Sequence, residues 1–277
     1  METIFPLAFT KMNGTGNDFI VIDHRQRRIP VEEQQNFSRR VCRRMFSVGA
    51  DGVILLEESS RADFSWQFYN ADGSVAEMCG NGARCAARFA YSSGIAGKKM
   101  CFETLAGIIE AEICDGDSVR LRMTDPFDYK EHKAVRIGGV ERQIFFLNTG
   151  VPHAVLFVDD RQAPVKEWGP EIRFHSIFQP EGTNADFVTV LGPDEILART
   201  YERGVEDETR ACGTGAVASA IIASTKKNIA SPVQVVTSGG DRLIIDFEAK
   251  SDGGVRNVYL TGPACIVYHG ELTAESL

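Results

Sequence analysis

The sequence predicts an α/β fold of two pseudo-symmetric units from an internal duplication, each a curved, mostly antiparallel sheet wrapped around a central helix. Three observations lead there. Met78-Cys79-Gly80-Asn81-Gly82-Ala83-Arg84-Cys85-Ala86-Ala87-Arg88-Phe89-Ala90 and Ala211-Cys212-Gly213-Thr214-Gly215-Ala216-Val217-Ala218-Ser219-Ala220-Ile221-Ile222-Ala223 each place a cysteine before Gly-x-Gly-Ala. Each then opens a small-residue run that is apolar nearly all round, as a helix buried on every side must be. Weaker matches keep their order at a spacing of about half the chain, as a repeat requires. Strand-like runs also far outnumber helical ones, so helices are too few to cover a parallel sheet on both faces.

Taken in order, Leu7 to Asp23 reads as strand, turn and strand about Lys11-Met12-Asn13-Gly14-Thr15-Gly16-Asn17-Asp18. Pro30 opens a helical pattern running to about Met45, and Gly49-Ala50-Asp51-Gly52 leads into a strand over Val53 to Leu56. Asp63 to Tyr69 alternates like a strand and delivers the turn Asn70-Ala71-Asp72-Gly73-Ser74 ahead of the Cys79 helix. Three more strands are expected over Lys99 to Thr104, Ile108 to Cys114 and Ser118 to Met123, with a boundary at Asp125-Pro126. In the second half, Gly16 to Asp23 is answered by Gly150 to Asp159, a glycine turn feeding a strand that ends in aspartate, which leaves His153 in a loop opposite Asn17-Asp18. Ala50-Asp51-Gly52-Val53 falls opposite Ala185-Asp186-Phe187-Val188, and Phe68-Tyr69-Asn70 opposite Thr200-Tyr201-Glu202. Thr104-Leu105-Ala106-Gly107 falls opposite Thr237-Ser238-Gly239-Gly240. A two-fold relation between the units would set equivalent loops face to face, so that Cys79 and Cys212 meet across one cleft.

Composition narrows the function. With 277 residues and 43% apolar content the chain can bury a large core. A formal charge of −8 argues against nucleic acid or an anionic membrane as partner, since both need a concentrated basic surface. The basic pairs Arg39-Arg40 and Arg43-Arg44 read as a solvated helix face. Seven cysteines, odd in number and without close paired spacing, do not make a secreted disulfide framework and fit the reducing cytoplasm. The short apolar patch from Ile4 to Phe9 lacks a basic leader, which is not a signal peptide, and no apolar run reaches the roughly 20 residues of a bilayer span. The five histidines are scattered without metal-ligand spacing, so no metal site is expected. Gly14-Thr15-Gly16 falls short of a phosphate loop, because a strand follows where a helix should.

Two thiols at helix starts point to proton transfer. A helix N-terminus offers unpaired N–H groups and partial positive charge, which bind an anion and lower the pKa of a thiol placed there. One thiolate can remove the α-proton of an amino acid while the opposed thiol returns a proton to the other face, which is racemisation or epimerisation. The carbanion needs stabilising, and N–H donors aimed at the α-carboxylate do that, one preorganised donor contributing about 3–4 kcal/mol. Gly80-Asn81-Gly82 and Gly213-Thr214-Gly215 let backbone approach closely, and Glu202, with Asn70 as its counterpart, would hold the α-ammonium. A lone Cys-Gly-x-Gly would more often be a packing turn with an inert cysteine; the duplication argues against that here. Cys42, Cys85, Cys101, Cys114 and Cys265 lack the setting and read as small core hydrophobes.

Lys11-Met12 with Gly16-Asn17-Asp18-Phe19, Asn70 to Ser74 running on through Met78 to Arg84, Gly182-Thr183-Asn184, Tyr201-Glu202-Arg203-Gly204 and Ala211 to Gly215 together resemble the diaminopimelate epimerase family over nearly the whole chain. The resemblance implies a cofactor-independent isomerase that interconverts LL- and meso-2,6-diaminopimelate on the route to lysine and peptidoglycan cross-links. It makes Cys79 and Cys212 the acid/base pair. It gives substrate binding to Asn17, Asn70, Asn184, Glu202 and Arg203, and the carboxylate cradle to Gly80, Asn81, Gly213 and Thr214. His153 and Glu202 would tune the thiols. The C-terminal tail would return to the first unit, dividing 1–124 plus 265–277 from 125–264, and Tyr268 would help a homodimer contact. One departure stands out: many members carry Asn-Pro-His where this chain has Val151-Pro152-His153, so a polar contact to the distal end of the substrate is either missing or supplied elsewhere. Two other readings compete, a racemase of another amino acid such as histidine and an amino-acid-binding protein without turnover. A pure binder has no need of two thiols.

Overall fold

Residues 4–251 and 253–277 are described by the structure, a computed structural model. The chain divides into one unit of Met1–Leu121 with Gly262–Leu277 and a second of Arg122–Thr261. In the first, β1 (Leu7–Gly14) and β2 (Asn17–Asp23) form a hairpin about Thr15-Gly16. Both turn residues have positive φ, 52° and 89°, as a two-residue turn matched to strand twist demands. After α1 (Val31–Val41), β3 (Gly52–Glu57) runs parallel to β2, and β4 (Phe64–Asn70) returns antiparallel to β3. The apolar run that opens at Cys79 becomes α2 (Gly80–Ser92), which leads to β5 (Lys99–Thr104), parallel to β4. β6 (Gly107–Ile113) and β7 (Ser118–Arg122) continue antiparallel.

The second unit repeats this plan. A hairpin of β8 (Phe127–Ile137) and β9 (Val140–Asn148) is joined antiparallel by β10 (Pro152–Phe157), and after α3 (Val165–Arg173) comes β11 (Asn184–Val190), parallel to β10. β12 (Glu195–Glu202) returns antiparallel, with the short β13 (Asp207–Thr209) on it. Then α4 (Gly213–Lys227) leads to β14 (Val233–Thr237), parallel to β12, followed by antiparallel β15 (Arg242–Ala249) and β16 (Val255–Pro263). The last strand, β17 (Cys265–Leu272), pairs antiparallel with β1. The order β17-β1-β2-β3-β4-β5-β6-β7 in one unit therefore matches β8-β9-β10-β11-β12-β14-β15-β16 in the other, with the same sense at every pair. The N-terminal unit is completed by the end of the chain.

Each sheet is covered on both faces, which is why β3 is buried along its whole length. Side chains alternate across a strand. Ile20, Ile22, Val53, Leu55 and Tyr69 pack with Phe37 and Val41 of α1, while Phe19 and Ile54 lie under α2 at Gly82. In the second unit Ala154, Leu156, Ala185, Phe187 and Tyr201 pack with Val165 and Ile172 of α3, which leaves His153 and Asp186 on the α4 face. Of the two arginines of α2, Arg84 is fully buried and donates to the Pro263 carbonyl at 3.2 Å, Thr15 Oγ1 at 2.8 Å and Asn81 Oδ1 at 2.9 Å.

Register decides which residues correspond. Phe19 pairs with Gly52 and Gly52 with Asn70, while His153 pairs with Asn184 and the next residue, Ala185, with Tyr201. Phe19, Gly52 and Asn70 thus match His153, Asn184 and Glu202, which upholds the matches of Phe68-Tyr69-Asn70 and of Gly16 to Phe19. The expected match of Ala50-Asp51-Gly52-Val53 with Ala185-Asp186-Phe187-Val188 is out by three positions, and it is Ile54 that corresponds to Asp186. Ala50-Asp51 lies in the turn before β3, whereas Ala185-Asp186 lies inside β11. Two smaller expectations also change. α1 stops at Val41 instead of about Met45, which sits in the left-handed region at φ 69° and cannot continue a right-handed helix. Cys42 and Cys85 are core residues, but Cys101 and Cys114 are half-buried and Cys265 is exposed. Cys101 falls between buried Met100 and Phe102 on β5, so strand alternation turns it to the opposite face.

Leu272 of β17 is buried in the core shared by β1, β2 and α1. Leu272→Ala is expected to cost about 2–5 kcal/mol and to speed amide exchange in β1 and β17 while β11 and β12 keep their protection. Equal loss of protection in both units, followed by hydrogen exchange, would contradict this placement of the C-terminal strand.

Candidate active site

Both cysteines singled out by the repeat are helix N-caps. Cys79, at φ −147° and ψ 120°, caps α2 and its Sγ accepts the Gly82 N–H at 3.5 Å. Cys212, at φ −121° and ψ 112°, caps α4, and both residues are half-buried. An extended residue at this position turns the chain into the helix and leaves the first helical N–H groups pointing past the thiol. Gly80 and Gly213 follow the two caps; a Cβ on Gly80 would meet nothing within 4 Å, so that backbone is open to approach.

Around Cys212 the second unit gathers His153, Asn184, Glu202, Arg203, Gly213 and Thr214. His153 is not a loop residue, as expected from the sequence, but lies in β10 and is fully buried. Its strand register carries it onto the α4 face, where Nδ1 lies 2.7 Å from Asp186 Oδ2 and Nε2 lies 3.0 Å from Thr214 Oγ1. Thr214 Oγ1 in turn lies 3.5 Å from Cys212 Sγ, and Thr200 Oγ1 donates to Asp186 Oδ1 at 2.7 Å. Burial pushes the Cys212 thiol well above its ordinary value, and the Glu202 and Asp186 carboxylates push it further. Burial also raises the Glu202 carboxyl. Asn184 Nδ2 donates to the Pro152 carbonyl at 2.9 Å while its Oδ1 accepts the Arg203 N–H at 2.7 Å. The Arg203 guanidinium donates to the Glu181 carbonyl at 3.0 Å.

Around Cys79 the first unit gathers Asn17, Asn81 and Asp51. Asn81 Nδ2 donates to Asn17 Oδ1 at 2.6 Å, Asn17 Nδ2 donates to Asp51 Oδ2 at 3.0 Å, and Thr15 Oγ1 donates to Asn81 Oδ1 at 2.9 Å. Asn70 ends β4 with its Nδ2 donating to Ser74 Oγ at 3.0 Å, exposed beside the Ala71 N–H that donates to the Asp51 carbonyl. Tyr268 is on β17, 44% exposed and edge-to-face with Phe9. Asp186, Thr200, Asp51, Thr15 and Arg84 belong to these surroundings and were not singled out from the sequence. Asp186 did leave a signal, a charged residue inside the apolar run Ala185 to Val188. Among the described residues no group of three or more His, Cys, Asp or Glu side chains is arranged to hold a metal.

The third helical residue sits closest to the sheet in both units. A Cβ on Gly82 would stand 3.2 Å from Ile54 Cδ1 and 3.6 Å from Phe19 Cζ. A Cβ on Gly215 would overlap Asp186 Oδ1 and stand 3.0 Å from Thr200 Oγ1 and 3.3 Å from His153 Cε1. Phe19, Ile54 and Phe68 therefore hold the places that His153, Asp186 and Thr200 hold in the other unit.

The family model described as diaminopimelate epimerase matches residues 9–127 and 145–267. The chain is 46% identical over 282 residues to a protein named diaminopimelate epimerase from Aquifex aeolicus, covering 98% of this chain and 99% of that one. It is 43% identical to one so named from Archaeoglobus fulgidus, covering 98% of each. Among solved structures, the fold matches a Bacillus anthracis phenazine biosynthesis protein of the PhzF family at a TM-score of 0.74 and 15% identity, over 96% of this chain and 98% of that one. It also matches a hydroxyproline epimerase from Agrobacterium vitis at a TM-score of 0.65 and 16% identity, over 99% and 94%.

The glycine geometry has a stability consequence. Gly215→Ala is expected to destabilise by about 1–3 kcal/mol through overpacking, whereas Gly80→Ala stays within about 1 kcal/mol of the parent. Thermal unfolding of the two variants checks this; equal stability of the pair would contradict the close approach at Gly215.

Proposed function

The chain belongs to the diaminopimelate epimerase family, an isomerase family, and we propose that it interconverts LL- and meso-2,6-diaminopimelate by proton transfer between Cys79, Cys212 and the α-carbon. The observation that carries this reading is the pair of cysteines capping α2 and α4, each followed by Gly-x-Gly. Cys212, whose thiol is pushed up by burial and by Glu202 and Asp186, holds its proton in the resting enzyme and serves as the acid. Cys79 is then the base. Negative charge that grows on the α-carboxylate is met by the N–H groups of Gly80, Asn81, Gly213 and Thr214, donors fixed before the reaction starts. Glu202, whose carboxyl burial has pushed up, gains a counter-charge when the α-ammonium arrives. Asn17, Asn70, Asn184 and Arg203 complete the hold on substrate, His153 tunes the Cys212 thiol, and the working form is a homodimer with Tyr268 at its contact. No cofactor is needed for this chemistry.

In heavy water, LL-diaminopimelate incubated with the protein alone is expected to gain deuterium at one α-carbon and yield the meso isomer, followed by proton NMR. A substrate that stays unlabelled would favour the binding reading, and exchange of histidine in its place would reassign the substrate. The raised Cys212 thiol also sets the pH dependence. A group that must stay protonated fails only as pH rises through its own pKa, so kcat/KM, which follows the free enzyme, should hold to at least the ordinary thiol value of 9.0 and fall above it. An alkaline limb already falling between pH about 7 and 8 would contradict Cys212 as the resting acid.

A further inference from the structure

Beneath the start of α4, side chains from β12, β11, β10 and the helix itself form one hydrogen-bonded chain: Thr200, Asp186, His153, Thr214 and then the Cys212 thiol. His153 and Asp186 are fully buried. A carboxylate only accepts, so Nδ1 of His153 carries the ring proton and Nε2 is left to accept from the Thr214 hydroxyl, whose oxygen accepts from the thiol. The chain can also run the other way. The Cys212 proton passes to Thr214 Oγ1 as the hydroxyl's own proton passes to His153 Nε2. One S–H bond is broken, one N–H bond is formed, the hydroxyl is restored, and the thiolate and imidazolium charges cancel, with Asp186 facing the imidazolium.

Holding the helix to the sheet does not require this set. Phe19 and Ile54 pack under α2 at Gly82, and Phe68, paired with Ile54 and stacked edge-on against Phe19, takes the register position of Thr200; burying a carboxylate and an imidazole instead costs desolvation that the hydrogen bonds only offset. We propose that Asp186, braced by Thr200, is a positioning residue that acts through His153 and Thr214 to let Cys212 pass its proton inward and become the thiolate when Cys212 is the base. The inference rests on the two-thiol reading above. The charged groups packed toward the Cys212 thiol are His153 of β10, Asp186 of β11 and Glu202 of β12. On β13, Asp207 and Glu208 are engaged by Lys166 and Arg199, and Arg210, just after the strand, is exposed.

The sign of one substitution separates this relay from simple electrostatics. Asp186→Asn removes a negative charge beside Cys212, which by charge alone would ease thiolate formation and speed alkylation. If the relay operates, the imidazolium loses its partner and alkylation slows. Rates of iodoacetamide modification of Cys212 and Cys79, read by peptide mass spectrometry near neutral pH, are expected to fall about tenfold at Cys212, one pKa unit's worth, and to stay within about twofold at Cys79. Thr200→Val keeps the charge and removes only the brace; it is expected to slow Cys212 by a smaller factor, and it stands in if Asp186→Asn does not fold. Turnover of diaminopimelate by Asp186→Asn is expected to lose kcat with KM within about threefold. Alkylation of Cys212 that is unchanged or faster in either variant would overturn the proposal. A parent protein inert toward diaminopimelate would sink the epimerase reading and leave the alkylation result standing.

Discussion

A helix laid end-first against a sheet, its third residue a glycine with little or no room for a side chain, is the constraint on which the rest of the structure depends. At Gly82 and at Gly215 an added methyl would press on the strands below. That approach fixes the direction of the first helical N–H groups and the place of the capping thiol together. It also explains why small residues dominate the two helices, with the buried Arg84 of α2 held by hydrogen bonds of its own. Covering the other sheet face with α1 or α3 buries the central strands on both faces, and the rigidity of that sandwich is what a preorganised set of N–H donors needs.

The frame is duplicated, but the chemistry under the two helix starts is not. Phe19, Ile54 and Phe68 on one side answer His153, Asp186 and Thr200 on the other, residue for residue at the same register positions. A buried carboxylate is tolerable only when its lone pairs are taken up, and both oxygens of Asp186 are bonded, one to Thr200 and one to His153. Polar bonding in the first unit is displaced to the side of the helix, where Asn81, Asn17, Thr15 and Asp51 join buried Arg84. Two scaffolds of one plan thus present two thiols in different electrostatic surroundings, an asymmetry that suits the acid-and-base reaction proposed above.

Much of this was legible in the chain because the strongest local signals were chemical and repeated. Cys-Gly-x-Gly before a small-residue run announces a capped, buried helix, and the order of the weaker matches announced the repeat. What the matches could not supply was register. Ala50-Asp51 and Ala185-Asp186 look alike in a string of letters, yet one is a turn and the other the middle of a strand, and that slip hid Asp186; separately, the glycine turn at Gly150 made His153 look like a loop residue although β10 begins at Pro152. Strand pairing is set by contacts far apart in sequence, and a shift of one position exchanges the two faces of a sheet. The parallel pairing of β2 with β3 and of β10 with β11 was invisible for the same reason. Asn70 and Glu202, by contrast, were matched correctly because the aromatic residues before them travel with the strand.

The central claim is that the two sulfur atoms act on one stereocentre from opposite sides. Proton washout into heavy water by Cys79→Ala and Cys212→Ala, measured separately from the LL and the meso isomer, tests it most directly. The account expects each variant to lose epimerisation and to retain washout from only one isomer, with the two variants retaining opposite ones. Continued epimerisation by either variant, or washout of both isomers by the same variant, would contradict it.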